Sequence, residues 1–299
     1  MSIISVGFIL FTAIGLLVFY NVPKKYQWIV LLAMSIIFSV CADWKNLIFI
    51  AGVSAVAYFS CIAMEKISGN TELDKKTIKA KKGVVLKLAL LLLVGLLVVL
   101  RYLNIAVGAG YKVANLFGSE AQFSGINIFV PIAISYYTLQ VLSYILDVYW
   151  NRCGVEHNYL RVLLFTSYFP QMIQGPISKY ELLSEELKKN VPFEWKNIKF
   201  GVQLILWGYM KKLVIGDRVG EVVNGIFHSD ITPYGLDIFF GLVLYGIQLY
   251  CDFSGGMDIV RGVSECFGIN LPINFRQPYF SDSLSEFWRR WHMTLGDWM

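Results

Sequence analysis

Four long apolar runs occupy the first third of the chain, at about residues 3–20, 27–41, 46–64 and 84–103. Each approaches the roughly 20 residues that a helix needs to cross the hydrocarbon of a bilayer. Few polar residues interrupt them, so the pattern predicts four transmembrane helices serving as lipid-facing wall. Lys24 and Lys25 lie in the first connection. Lys66, Lys75, Lys76, Lys79, Lys81 and Lys82 lie in the third, against Glu65, Glu72 and Asp74. Positive charge is retained on the cytoplasmic side, so both connections are expected there and the short ADWKN turn outside. That places the N-terminus outside the cytoplasm.

Beyond residue 104 polar groups enter the apolar segments, and the chain divides into N-terminal transmembrane helices (1–103) and a part of different character (104–299). Within residues 131–150, Tyr136, Gln140, Ser143, Tyr144 and Asp147 recur at three- and four-residue spacing. Such a stripe is expensive in lipid and should face other helices or a wet cavity. In 160–180, Pro170, Gly175 and Pro176 exclude a regular span. A re-entrant element with Gln171 and Gln174 at a cytoplasmic mouth is expected, or a loop lying on the membrane. Residues 181–199 read as a solvated linker. The following segment is interrupted by Lys211 and Lys212, and its topology stays open. A membrane helix over 235–251 leads to Asp252, Ser254 and Asp258 around a Gly255–Gly256 break. This is either a capped helix end or a carboxylate placed at a kink to orient a reacting group.

After a loop with Pro272 and Pro278, residues 281–299 read as one amphipathic helix. Ser283 and Glu286 have the spacing of a capping box, and Leu284, Trp288, Trp291, Leu295 and Trp298 share a face. His292 falls on or beside that face. An imidazole among tryptophans is either a packed core histidine or a base kept out of bulk water.

Composition supports an all-α polytopic integral membrane protein: 56% of residues are hydrophobic, 16% are charged and mean hydropathy is +0.57. Charged residues make up about a quarter of an average soluble domain. The net charge of +5 sits in connections, not on a basic face with interleaved aromatics, which argues against nucleic acid as a partner. Five cysteines include no CxxC pair, and no Cys/His cluster has metal-ligand spacing.

Six blocks, ISYYTLQVLSYILDVYW, YFPQMIQGPI, GYMKKLVIGDR, YGIQLYCDFSGGMDIVRG, LPINFRQPY and SLSEFWRRWHMTL, occur in that order between 131 and 299. Together they resemble the membrane-bound O-acyltransferases, in particular the bacterial alginate O-acetylation and teichoic-acid D-alanyl transfer subgroup. The resemblance implies a helical membrane enzyme with a tunnel through a thin centre. It would pass an acyl group, acetyl in the first expectation, from a cytoplasmic thioester to a hydroxyl of a cell-surface or secreted polysaccharide or cell-wall polymer. The donor would be acetyl-CoA or an acyl carrier's thioester, with no bound cofactor and no metal. An extracytoplasmic acyltransferase is an implied partner. His292 matches the first of two family histidines and would act as general base, with Arg289, Trp291, Asp252, Ser254, Asn274, Gln171 and Gln174 supporting it or lining the tunnel. The second family histidine belongs to a later helix and is matched by neither His157 nor His228, so the chain resembles an N-terminal portion of such an enzyme. Two rival readings stand beside this one: a proton-coupled transporter using Asp147, Asp252 and Asp258 as a relay, and a catalytically inert truncated copy.

Overall fold

The computed structural model describes residues 2–116, 125–228 and 234–299. Within them the chain forms α1 (Val6–Asn21), α2 (Gln27–Ala42), α3 (Trp44–Ser68), α4 (Lys75–Leu116), α5 (Ile134–Tyr149), α6 (Tyr159–Ser167), α7 (Tyr180–Lys188), α8 (Trp195–Tyr209), α9 (Asp217–Phe227), α10 (Gly235–Cys266), α11 (Leu284–Arg290) and α12 (Met293–Trp298). A π-helical segment, Met210–Gly216, joins α8 to α9 without a break. The described residues contain no extended strand, only an isolated antiparallel bridge between Phe275 and Trp291. Four helical stretches are long and apolar enough to cross a membrane: Lys24–Ala42, Trp44–Ser68, Lys75–Val113 and Gly235–Cys266. The protein is an all-helical, multi-pass membrane protein.

The chain forms two compact units. The first comprises residues 1–38, 168–178 and 182–299, and the second comprises 39–167 and 179–181. In the second unit the polar stripe of α5 faces inward, as its spacing requires. Gln140 donates to the Phe165 carbonyl at 3.2 Å, and the Tyr144 hydroxyl accepts the Glu156 N–H at 2.9 Å. The Tyr144 ring stacks on Tyr180 with centroids 4.0 Å apart. Buried polar atoms need such partners, because an unmade hydrogen bond in an apolar interior is the costly outcome.

The first unit is built on the antiparallel pair α8 and α10. Gly201 and Gly208, two turns apart on α8, meet Gly262 and Gly255 on α10. A Cβ added to Gly208 would lie 2.6 Å from the Gly255 carbonyl oxygen and 2.7 Å from Ile259, and one on Gly201 would lie 2.6 Å from the Gly262 carbonyl oxygen. Small residues on one stripe let two helix backbones approach closely, which matters most where lipid offers no hydrophobic drive to associate. Replacing Gly208 with valine forces the backbones apart and is expected to cost about 1–3 kcal/mol or more. Thermal unfolding in detergent measures this; an unchanged midpoint would show that the helices do not meet through these glycines.

Several elements differ from their sequence expectation. The apolar helix at the N-terminus, α1, has only 16 residues, and it does not serve purely as wall. Its Phe8 and Phe19 are buried in an aromatic cluster with Phe169 and Phe267, Phe19 meeting Phe267 edge-on at 5.2 Å. The lysines from Lys75 to Lys82 belong to the first turns of α4, not to a loop, since Asp74 caps the helix by accepting the Lys76 and Thr77 N–H groups. The expected solvated linker contains α7, whose Leu183 and Leu187 are buried. The expected Gly255–Gly256 break is absent: α10 runs straight through it, because these glycines serve close packing and not a turn. The final amphipathic helix is also not continuous. It divides at Trp291–His292, and Leu284 and Trp288 on its predicted apolar face are exposed.

Candidate functional site

Both halves of the candidate site are carried by α10. On one side, the π segment presents Lys211 and Lys212 to it. Successive residues of a helix point in different directions, so the neighbouring lysines of the π segment reach different partners. Lys211 Nζ donates to Ser254 Oγ at 3.1 Å and pairs with Asp258 at 2.5 Å, while Arg261 approaches the same carboxylate at 3.6 Å. Lys212 pairs with Asp252. Lys211 is only 8% exposed, so its charge is neutralised inside the protein. π-helical turns are rare and concentrate at functional positions.

On the other side lies the turn that holds His292. Trp291 leaves α11 in an extended conformation and bridges Phe275. Arg276 N–H donates to the Arg290 carbonyl and Met293 N–H to the Asn274 carbonyl, each at 3.0 Å. Between these anchors His292 adopts φ 46°, ψ 54°, in the left-handed region. Histidine is among the residues that enter this region more readily, yet the conformation still stores strain, and such strain gathers at functional sites.

The anchor is extended by buried Asn274, whose Oδ1 accepts from Thr294 N–H at 2.9 Å and from Thr294 Oγ1 at 2.7 Å. Thr294 Oγ1 in turn accepts the Ile177 N–H at 3.1 Å. Hydrogen bonds therefore tie the irregular 168–178 segment to the histidine turn. Within that segment Gln174 donates to the Phe253 carbonyl at 3.2 Å, and Gln171 donates to Ser178 Oγ at 2.9 Å and to the Pro176 carbonyl at 3.3 Å.

The imidazole is half-buried and meets the edge of Phe253 at 5.0 Å, with Phe275 at 6.5 Å. Its Nδ1 is buried without a hydrogen-bond partner from the protein. Burial pushes its pKa below the ordinary value of 6.5, partly offset by its own backbone, so the neutral form is favoured. A neutral imidazole shielded by rings, with its Nδ1 unpartnered within the protein, has the chemistry of a proton acceptor.

Of the residues expected from sequence, the structure gathers His292, Trp291, Asn274 and Gln174 around Phe253 and the histidine turn. Asp252 and Ser254 flank Phe253 on α10, but their side chains engage Lys212 and Lys211. Gln171 clamps its own segment, and Arg289 is exposed. Asp147 lies in the second unit, at the end of α5. Phe253, Phe275 and Thr294 were not singled out from the sequence, and neither was the pairing of Lys211 with Asp258. The pairing had a legible signal, since charges inside apolar segments require opposite partners. The contacts of Phe275 had none. Among the described residues no group of three or more His, Cys, Asp or Glu is placed to hold a metal ion.

Fold and site together define a multi-pass helical membrane protein with a half-buried imidazole on a strained turn. Residues 152–299 match the model of the membrane-bound O-acyltransferase family, and the chain belongs to that family. It is 30% identical over 295 residues to the probable alginate O-acetylase AlgI of Pseudomonas aeruginosa, covering 99% of this chain and 55% of the relative. Peptidoglycan O-acetyltransferase of Helicobacter pylori is 32% identical over 203 residues, 59% of this chain and 38% of the relative. Teichoic acid D-alanyltransferase of Bacillus subtilis is 30% identical over 181 residues, 58% of this chain and 44% of the relative. The chain spans about half the length of the full-coverage relatives it matches.

Proposed function

We propose that the protein transfers an acyl group, acetyl in the first instance, from a cytoplasmic thioester to a hydroxyl of an envelope polysaccharide or cell-wall polymer, with His292 as general base. Family membership supports the reaction class, and the half-buried imidazole whose Nδ1 has no partner in the protein is the observation that carries the assignment of the base. In this scheme neutral His292 takes the hydroxyl proton as the acceptor oxygen attacks the thioester carbonyl. The new C–O bond forms and the C–S bond breaks. The departing thiolate recovers the proton from the imidazolium, so the base returns to its neutral state. The rings of Phe253, Phe275 and Trp291 limit water, which would otherwise hydrolyse the thioester.

The donor is acetyl-CoA or an acyl carrier's thioester, a substrate and not a bound cofactor. The lysine-rich connections face the cytoplasm and the N-terminus lies outside, consistent with the retention of positive charge. An extracytoplasmic acyltransferase is a proposed partner. Residues 104–299 supply the part of the catalytic core that includes His292, and the second histidine of the family pattern is supplied by neither His157 nor His228. His157 is exposed and pairs with Glu65, and His228 is exposed at the end of α9. A proton relay is less well supported, because Asp252 and Asp258 are each engaged by a lysine.

Deleting the gene and complementing it tests the reading. Mild alkali should release less ester-linked acetate from envelope polymers of the deletion strain, with recovery on complementation. Loss of ester-linked alanine instead would reassign the acyl group. If neither changes, acyl transfer to the envelope is refuted.

A further inference from the structure

A second site lies in the second unit, where two adjoining cavities of about 420 and 350 Å³ share Ser68, Lys82 and Asn151. The larger is lined by Lys75, Lys79 and Lys82 on one face of α4, and by Tyr149, Trp150 and Asn151 at the end of α5. Lys82 is 5% exposed, and its Nζ donates to Asn151 Oδ1 at 2.9 Å, 5.8 Å from the centre of the Tyr149 ring. Both of these partners are neutral. Lys75, Lys79 and Lys82 have no carboxylate within ion-pair distance among the described residues, in contrast to Lys211 and Lys212. The only carboxylate lining the pair of cavities is Glu65, in the smaller one, and it lies 3.4 Å from His157 Nε2.

A buried ammonium without an anion is an incomplete arrangement, since burial of charge is tolerated when an opposite charge answers it. Two further ammonium groups converge one and two turns away on the same helix face. The positive end of the α4 dipole adds to them, although Asp74 already occupies the N–H groups of Lys76 and Thr77. Asn151 is held at φ 56°, a conformation that asparagine tolerates, and this turns the chain back at the end of α5 beside Lys82. Tyr149 and Trp150 are of the kind that settles at the headgroup level of a membrane.

We propose that this cavity is a phosphate-binding site, for the phosphate of an anionic lipid headgroup or of a soluble phosphorylated compound. Three ammonium groups suit a tetrahedral anion with several acceptor oxygens better than a planar carboxylate, while the Ser68 hydroxyl at the wall already donates to the Met64 carbonyl at 2.9 Å. Basic pockets between transmembrane helices are established receptors for phosphorylated headgroups. The site shares no residue with the His292 turn and does not depend on the acyl-transfer reading.

The test uses the purified full chain in phosphate-free detergent and two probes. Pyrophosphate is titrated calorimetrically, and phosphatidylglycerol in phosphatidylcholine nanodiscs is followed by native mass spectrometry. Saturable, salt-sensitive binding of at least one probe is expected. Lys82→Gln should weaken it about tenfold, the scale of one lost charge-assisted hydrogen bond, and Lys82→Arg should retain most of it. Retention of phosphatidylglycerol alone identifies a lipid headgroup, and binding of pyrophosphate alone identifies a soluble phosphate. The proposal is overturned if neither probe binds saturably, or if Lys82→Gln binds like wild type. Should Lys82→Gln fail to fold, the Lys75→Gln/Lys79→Gln variant decides in its place, since both residues are exposed.

Discussion

His292→Asn is expected to lower acyl transfer about 10²- to 10⁴-fold, the range that a positioned general base contributes. Asparagine is the informative replacement because it also tolerates the left-handed backbone found at φ 46°. The turn between Trp291 and Met293 is thereby kept while the titrating group is removed. Melting should move little, so that lost activity reports on chemistry and not on folding. Ester-linked acyl groups on envelope polymers in complemented cells are the readout, with protein abundance measured alongside. Undiminished transfer by a folded His292→Asn protein would remove His292 from the mechanism.

The same site has a pH signature with a definite sign. Burial depresses the folded-state pKa of His292 below 6.5, so the imidazole stays deprotonated at pH values where an ordinary histidine is charged. The acidic limb of kcat/KM should therefore lie below pH 6.5 and be absent from any residual activity of His292→Asn. For stability, the unfolded chain binds its proton first as pH falls. His292 consequently contributes full stability above its unfolded pKa and loses it between that value and the lower folded one. A limb at or above pH 6.5 would mean that the imidazole is not desolvated in the working enzyme.

Asp258→Ala should be the most damaging single change in the charged cluster, at about 3–5 kcal/mol, because it strands Lys211 in the interior. Ser254 would remain as a neutral partner at 3.1 Å, which does not replace an opposite charge. Lys211→Met should be milder, since Arg261 at 3.6 Å still answers Asp258. Combining Lys211→Met with Asp258→Leu removes both charges and is expected to recover most of the loss, because apolar residues of similar volume often replace a buried ion pair without penalty. Unfolding in detergent, followed for Lys211→Met, Asp258→Leu and the double variant that combines them, gives the coupling directly. An Asp258→Ala protein within about 0.5 kcal/mol of wild type, the usual range for inconsequential surface changes, would show that Lys211 reaches water.

The apolar runs, the polar stripe of α5 and the start of α11 were all legible from residue order. Each depends on neighbours a few positions away. Transfer of about twenty apolar residues from water, alternation at helical spacing and the Ser283 side chain accepting the Glu286 N–H at 3.1 Å are local matters. Even there the capping glutamate reaches the Asp282 N–H and not that of Ser283.

What residue order left open turns on partners distant in the chain. Glycine reads equally well as a helix end and as a close-packing contact. Gly255 became the second only because Gly208 lies across from it and the two backbones exclude a Cβ. Lys211 and Lys212 leave the topology of their segment open until Asp258 and Asp252, 40 or more residues on in sequence, neutralise them inside the protein. Helical periodicity carried through Trp291 and His292, and the bridge to Phe275 with the Asn274–Thr294 bonds overrode it. Local sequence thus determined which segments are helical and that they belong in a membrane. Tertiary contacts decided where the final helix breaks and which charges are paired. They also turned His292 into a shielded, neutral imidazole, because desolvation and hydrogen-bond pairing depend on which groups meet in space.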